Sequence, residues 1–231
     1  MIYLGIDDTD SLDSIGTGRL AREIADLLKI KYPVDCITRH QLLVHPDIPY
    51  TSHNSCAVIH LFDIPQSDYL SLFEQAKQIM RERFVEGSDP GIALVGADQV
   101  SPIMVAFGFD AKCTIVTQER ARGIAHHAGI LLEGLGGTEG GVIGAVGGIG
   151  LAASGSDGRY LQLGSIREKR GQRTVQEILD TGIDKVMTLD GKIVTEGLVF
   201  IEKFPQPSRL LGKPVVVVDE RDGQFYLVKR D

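Results

Sequence analysis

Three carboxylates and two hydroxyls stand at consecutive positions where a short apolar run ends, in Gly5-Ile6-Asp7-Asp8-Thr9-Asp10-Ser11. Carboxylates this close raise one another's pKa unless a divalent cation or hydrogen-bond donors offset their charge. Hard oxygen ligands of this kind suit Mg²⁺ with bound phosphates. Shortly after, Gly16-Thr17-Gly18 opens a helical pattern, and a glycine turn at a helix start aims backbone N–H groups at an anion. The two features together describe a Mg²⁺–nucleotide site, with Asp7, Asp8 and Asp10 on the metal and the Gly16–Gly18 turn on the phosphates. The same spacing serves equally well for a turn in which Asp10 or Ser11 caps and Asp7 and Asp8 are simply solvated. Neither a Walker A sequence nor a three-glycine dinucleotide fingerprint occurs, and the loop does not follow the calcium pattern.

Four other groups carry possible chemistry. Thr38-Arg39-His40 and His53-Asn54 fall on consecutive expected strands, where Arg39 would neutralise transferring phosphoryl charge and His40 or His53 would handle a proton. A solvated strand edge is the plainer account of that set. His126-His127 are adjacent on an expected helix, about 100° apart, and read as surface residues. The run from Gly134 to Gly150 is dense in glycine, which costs a helix roughly 1 kcal/mol at each interior position and must be offset by close packing or by a ligand against the backbone. At its start, Thr138-Glu139-Gly140-Gly141 offers N–H groups to an anion. Arg167 to Arg173 is the most basic stretch and suits an RNA or polyphosphate face, or a charged loop with no partner.

These residues need elements to position them. Residues 2–6 read as a buried strand, and Leu20, Ile24, Leu27 and Leu28 repeat at helical spacing over 18–30. Strands over 34–44 and 56–62, a helix over 67–84 and a strand over 92–95 follow, giving the β-α-β-β-α-β order of ferredoxin-like folds. Further on, the pattern predicts a strand over 112–117, helices over 117–128 and 141–152, and a strand over 160–166. At the C-terminus, Asp222-Gly223 supplies the positive φ of a tight hairpin between 214–219 and 224–229.

The chain of 231 residues is long enough for one large domain or two small ones. Its 24% charged and 43% hydrophobic residues fit neither disorder nor a membrane protein. The least polar run, Gly140 to Ser154, is about 15 residues and too short to span a bilayer. A formal charge of −7 argues against a surface coated for non-specific nucleic-acid binding, while leaving room for one basic face. Cys36, Cys56 and Cys113 are scattered and outside any C-x-x-C spacing, so a reducing cytoplasm is expected, and the acidic N-terminus shows no export signal.

The acidic loop GIDDTDS, a threonine at the next helix start, HPDIPY, DPGIALV, GGVIGAVGGIG and the late L-x-x-I-R ending at Arg167 resemble archaeal tRNA-isoleucine 2-agmatinylcytidine synthetase across nearly the whole chain. The resemblance implies an ATP-dependent ligase with a kinase-like and a ferredoxin-like domain, which modifies an anticodon cytidine of tRNA with agmatine. The family continues into an OB-fold and a zinc ribbon, before which this chain stops. Asp7, Asp8, Asp10 and Ser11 fall on the family's acidic loop, which implies ATP and Mg²⁺ there; Thr17 falls on a threonine that the family phosphorylates, and Arg167 on its arginine after the late strand. The sequence departs from the family where Ile15-Gly16 replace Met-Cys, Gly18 a second threonine, Gly140 a basic residue and Leu43-Val44-His45-Pro46 the family's R-L-N-P.

The expected fold is α+β, with ferredoxin-like split βαβ units in two packed α/β subdomains and a terminal β-hairpin. Residues 1–97 are expected to form a kinase-like domain holding the acidic loop, and 98–231 a ferredoxin-like domain holding the glycine-rich segment. Asp7, Asp8, Asp10, Thr17 and Arg167 are the expected catalytic residues, and Ser11, Gly16, Gly18 and Arg39 the nucleotide contacts. The expected partners are ATP, Mg²⁺, tRNA or another RNA, and agmatine or another amine, with neither membrane nor DNA. The expected activity is phosphoryl transfer that activates a substrate, such as a tRNA cytidine, for amine attack. A non-catalytic nucleotide- or RNA-binding module that keeps the fold is the alternative, and a loop that holds a cation only for folding is a third.

Overall fold

The computed structural model describes residues 1–9, 16–48, 54–83, 85 and 87–228. The chain forms two compact units, Met1–Ser154 and Gly155–Asp231. The expected boundary at 97 therefore falls inside the first unit, because the helices that follow it pack on the sheet that precedes it.

In the first unit the elements run β1 (Ile2–Asp7), α1 (Thr17–Leu28), β2 (Val34–Gln41), β3 (Ser55–Leu61), α2 (Tyr69–Arg83) and β4 (Gly91–Gly96). Next come α3 (Pro102–Cys113), α4 (Gln118–Ala128), β5 (Leu131–Gly134) and α5 (Val142–Ser154). The sheet is antiparallel in the order β5-β4-β1-β3-β2. The ferredoxin-like order is thus present, and it lies in residues 2–96 rather than in the second half of the chain.

Both faces of this sheet are covered, which is why β1 and β4 are buried at every position instead of alternating. On one face α1 contributes Leu20, Ile24 and Leu28, and α2 contributes Leu72, Phe73, Ala76 and Met80. On the other, Tyr3, Val58, Ala93 and Val95 meet Met104 and Phe107 of α3 and Val142, Ala145, Val146 and Ile149 of α5. Glycine makes that second layer possible by close approach. A Cβ on Gly5 would stand 2.3 Å from the Ala145 carbonyl oxygen, and one on Gly150 2.1 Å from that of Met104. The glycine density of α5 is thus explained by packing against β1 and α3.

The pattern over 112–117 does not make a strand. α3 continues to Cys113, and the β-branched Thr117 instead caps α4 by accepting from the Arg120 N–H. α3 itself lacks a readable period, because Ile103 and Phe109 are exposed opposite the buried Met104 and Phe107.

The second unit comprises β6 (Arg159–Gln162), β7 (Gly171–Thr174), α6 (Val175–Leu179), β8 (Lys185–Thr188), β9 (Ile193–Val194), β10 (Leu198–Ile201), β11 (Ser208–Leu210), β12 (Lys213–Arg221) and β13 (Gln224–Leu227). Its strands run β6-β11-β12-β13-β10-β7, with β8 parallel to β12 and antiparallel to β9. The core is Ile166, Val175, Ile178, Val186, Val199, Ile201, Val216 and Val218. The expected hairpin is β12–β13, turning at Asp222 (φ 51°) and Gly223 (φ 75°). No described helix is long and apolar enough to cross a membrane.

Candidate active site at the end of strand β1

β1 pairs on both sides, with β3 and β4, as far as its acidic end, where Asp7 stands opposite Gly91. Asp7 is 9% exposed. Its carboxylate seats against the first turn of α5, where a Cβ on Gly144 would lie 1.8 Å from Oδ2. Only glycine leaves that seat open. A carboxylate there meets the positive end of the α5 dipole, which offsets its charge without a cation. Asp8 follows with φ 51°, a left-handed conformation that aspartate tolerates better than most residues, and it turns the chain away from the sheet.

Thr9 and Thr17 are both buried, and the Thr9 Oγ1 hydroxyl donates to Thr17 Oγ1 at 3.1 Å. This contact joins the chain before residue 10 to the chain after residue 15; Asp10 and Ser11 lie outside the described residues. Gly16 precedes α1 with φ 78°, and that helix begins with neither a side-chain cap nor an acidic residue in its first turn. Gly18 is in that first turn and half-buried. The structure therefore gathers Asp7, Asp8, Gly16, Thr17 and Gly18 at one sheet end, between the starts of two helices.

The two helix starts differ electrostatically. Ahead of α5, the Thr138 N–H and Oγ1 donate to the two Asp89 carboxylate oxygens at 2.5 and 2.7 Å, and the Gly141 N–H to the Asp89 carbonyl at 2.8 Å. The Glu139 N–H bonds the Gly136 carbonyl. Asp89 and Asp7 thus take up the donors and the dipole that the sequence offered to an anion at Thr138–Gly141. The first turn of α1 itself, Thr17 to Leu20, holds no acidic residue. Sequence reasoning passed over Asp89 and Gly144; the aspartate of a Ser-Asp-Pro-Gly turn and one glycine among many carry little local signal.

Sheet register sets Arg39 at the same end, on the face of the sheet opposite to that of the Asp7 carboxylate. Ala57 of β3 pairs with both Ile6 and Arg39, which sets Arg39 about 10 Å across the sheet from β1. Its Nε donates to Ser55 Oγ at 2.8 Å. His40 points to the opposite face. There Thr38 Oγ1 lies 2.8 Å from the Nε2 of both His40 and His60, and all three are fully buried. His40 is therefore a core residue rather than a proton carrier beside Arg39; His53 lies outside the described residues. His126 and His127 are on the exposed side of α4, as expected. Arg167 belongs to the second unit, where its Cζ stacks 3.9 Å from the Phe204 ring centre.

Mg²⁺ usually takes one or two carboxylates and completes its shell with phosphate and water. Asp7 and Asp8 supply oxygen of that kind, while no group of three His, Cys, Asp or Glu side chains able to hold a metal occurs among the described residues.

No family model matches the chain. The uncharacterized protein MJ0921 of Methanocaldococcus jannaschii is 30% identical over 152 residues, which is 65% of this chain and 50% of that protein. Apo TiaS (tRNAIle2 agmatidine synthetase) matches with a TM-score of 0.53 at 20% identity, over 64% of this chain and 35% of that one. The TiaS–tRNA(Ile2)–ATP complex gives 0.54 at 21% identity, over 64% and 36%. Over that share, the chain has a TiaS-like fold. A solved tRNA fluorescent labeling enzyme matches equally, at TM-score 0.54 and 21% identity over 64% of this chain and 35% of its own. The chain spans about half the length of the relative it matches and about a third of TiaS.

Proposed function

We propose that the chain is an ATP- and Mg²⁺-dependent enzyme of tRNA modification, which activates an RNA carbonyl, such as that of a cytidine, by phosphoryl transfer for attack by an amine such as agmatine. One observation carries this reading. In a fold shared with a protein solved with tRNA and ATP, an acidic strand end is joined through the Thr9–Thr17 hydrogen bond to the start of α1, whose first turn holds no acidic residue. Asp7, Asp8 and Asp10 would hold the cation, and Gly16, Gly18 and Ser11 the phosphates. Asp7 needs only a small shift of burden, since α5 already orients its carboxylate. The metal and nucleotide would supply an electrophilic phosphorus and screen its charge. Arg39 stabilises charge that builds on the transferred group from the β2 side. Thr17, whose hydroxyl meets that of Thr9, is the internal candidate for phosphorylation.

The test uses the purified chain with labelled ATP and Mg²⁺, alone and with total tRNA plus agmatine, resolving ADP, AMP, pyrophosphate and labelled protein. Turnover that depends on tRNA and falls at least 100-fold in Asp8→Ala is the expected result, a size usual for loss of a charge-stabilising group. ATP binding without any product would leave the non-catalytic module in its place.

A further inference from the structure

The second unit carries a surface that the reaction above does not use. Along β10, Val199 and Ile201 enter the core while Leu198 and Phe200 face outward. Strand register sets Phe200 beside Gln172 of β7 and Tyr226 of β13, so these side chains share the open face. The Phe200 and Tyr226 rings stand edge to face at 5.9 Å, and Phe200 is 37% exposed. Single exposed hydrophobic residues are ordinary, but a pair of aromatics on an open sheet face is where flat ligands stack.

The basic stretch lies at one end of the same strand pair. Arg170 directly precedes β7, whose Gly171 pairs with Ile201 at the close of β10, and Phe204 follows three residues later. Arg167 and Arg170 both lie over the Phe204 ring, at 3.9 and 5.8 Å. Arg170 donates through Nη1 to the carbonyls of Arg167 and Lys169, both at 2.7 Å. Its guanidinium is fixed on one edge by backbone and on one face by a ring, which holds an exposed fork of donors ready for phosphate. From Arg167 to Arg173 four basic side chains meet one acid, Glu168. Arg221 lies over the Tyr226 ring at 5.5 Å and is paired with Asp219, the cross-strand neighbour of Tyr226, at 2.8 Å, so Phe200 is the open ring and the phosphate-tracking side is the Arg167–Arg173 end.

We propose that this face binds single-stranded RNA, with a base stacked on Phe200 beside Tyr226 and the backbone running past Arg170 and Lys169. Charge decides the occupant: a partner protein would need an acidic aromatic-binding patch, whereas RNA brings π faces and phosphates together.

The test is fluorescence anisotropy of a labelled oligouridylate with the full chain and no nucleotide, so that failure of the ATP reading does not affect it. Phe200→Ala and Tyr226→Ala should each weaken binding about 5- to 100-fold. Phe200→Tyr should retain it and Phe200→Leu should not, a split that a packing role alone would not produce. Arg170→Ala should weaken binding and lower the slope of log affinity against log salt by about 0.7. Absence of oligouridylate binding at low salt would overturn the proposal. So would binding that the variants leave unchanged while their melting temperatures match the parent, or a Phe200→Ala effect confined to self-association in sedimentation.

Discussion

Asp7 ends β1 with its carboxylate against Gly144, while Asp8, one residue on, turns out of the sheet at φ 51°. Neighbours in an acidic motif therefore hold unequal positions: Asp7 is charge-matched to α5 before any cation arrives, and Asp8 turns away from the sheet. Gly144→Ala tests the seat. The added Cβ would lie 1.8 Å from Asp7 Oδ2, so overpacking should cost about 1–3 kcal/mol in urea unfolding. Gly123→Ala is the internal control, because a Cβ on Gly123 of α4 meets nothing within 4 Å. There the gain in helix propensity should stabilise by about 0.5–1 kcal/mol. Equal effects at the two sites would mean that the Asp7 seat is looser than its geometry.

At the scale of elements, local signals were legible in α1 and in the terminal hairpin, whereas the equally local start of α6 was passed over. Leu20, Ile24 and Leu28 gave α1, and Asp222-Gly223 gave the β12–β13 turn. In the short α6, Thr174 accepts from the Glu177 N–H and Glu177 accepts in return from the Thr174 N–H. That backbone donor, foremost, holds the Glu177 carboxyl below its ordinary value, with help from the Thr174 hydroxyl and from Arg173 and Lys169. A carboxylate lowered on folding contributes stability above the ordinary carboxylate range and loses it as pH falls through the lowered value. Urea midpoints of the parent and Glu177→Gln should therefore differ at pH 7 and converge in acid. A gap that persists in acid would assign the difference to packing. Thr174→Ala should cost about 1 kcal/mol through the lost cap.

For the whole molecule, the reading of the acidic loop predicts how stability responds to ligands. Binding to the folded state alone stabilises by about 2.7 kcal/mol at 100 times Kd, so ATP with Mg²⁺ should raise the melting temperature, and Asp8→Ala should abolish the rise. Chelator without nucleotide should leave the melt unchanged, since the start of α5 already offsets the charge of Asp7 from within. A large drop with chelator alone would instead mean that the loop holds its cation for folding.

The sequence by itself determined the β-α-β-β-α-β order, the acidic end of β1, the glycine turn before α1 and the terminal hairpin, because each follows from periodicity or from the φ that a residue type allows. Tertiary structure decided the rest. That the chain divides after Ser154 depends on α3 and α5 covering the face that Tyr3, Val58 and Ala93 present. That Arg39 and His40, adjacent in sequence, serve opposite faces follows from strand alternation under two helical layers. The start of α5 was closed to an outside anion by Asp7 and Asp89, which meet it from β1 and from the turn before β4. Such meetings depend on the distance between residues far apart in the chain, which composition and spacing do not encode.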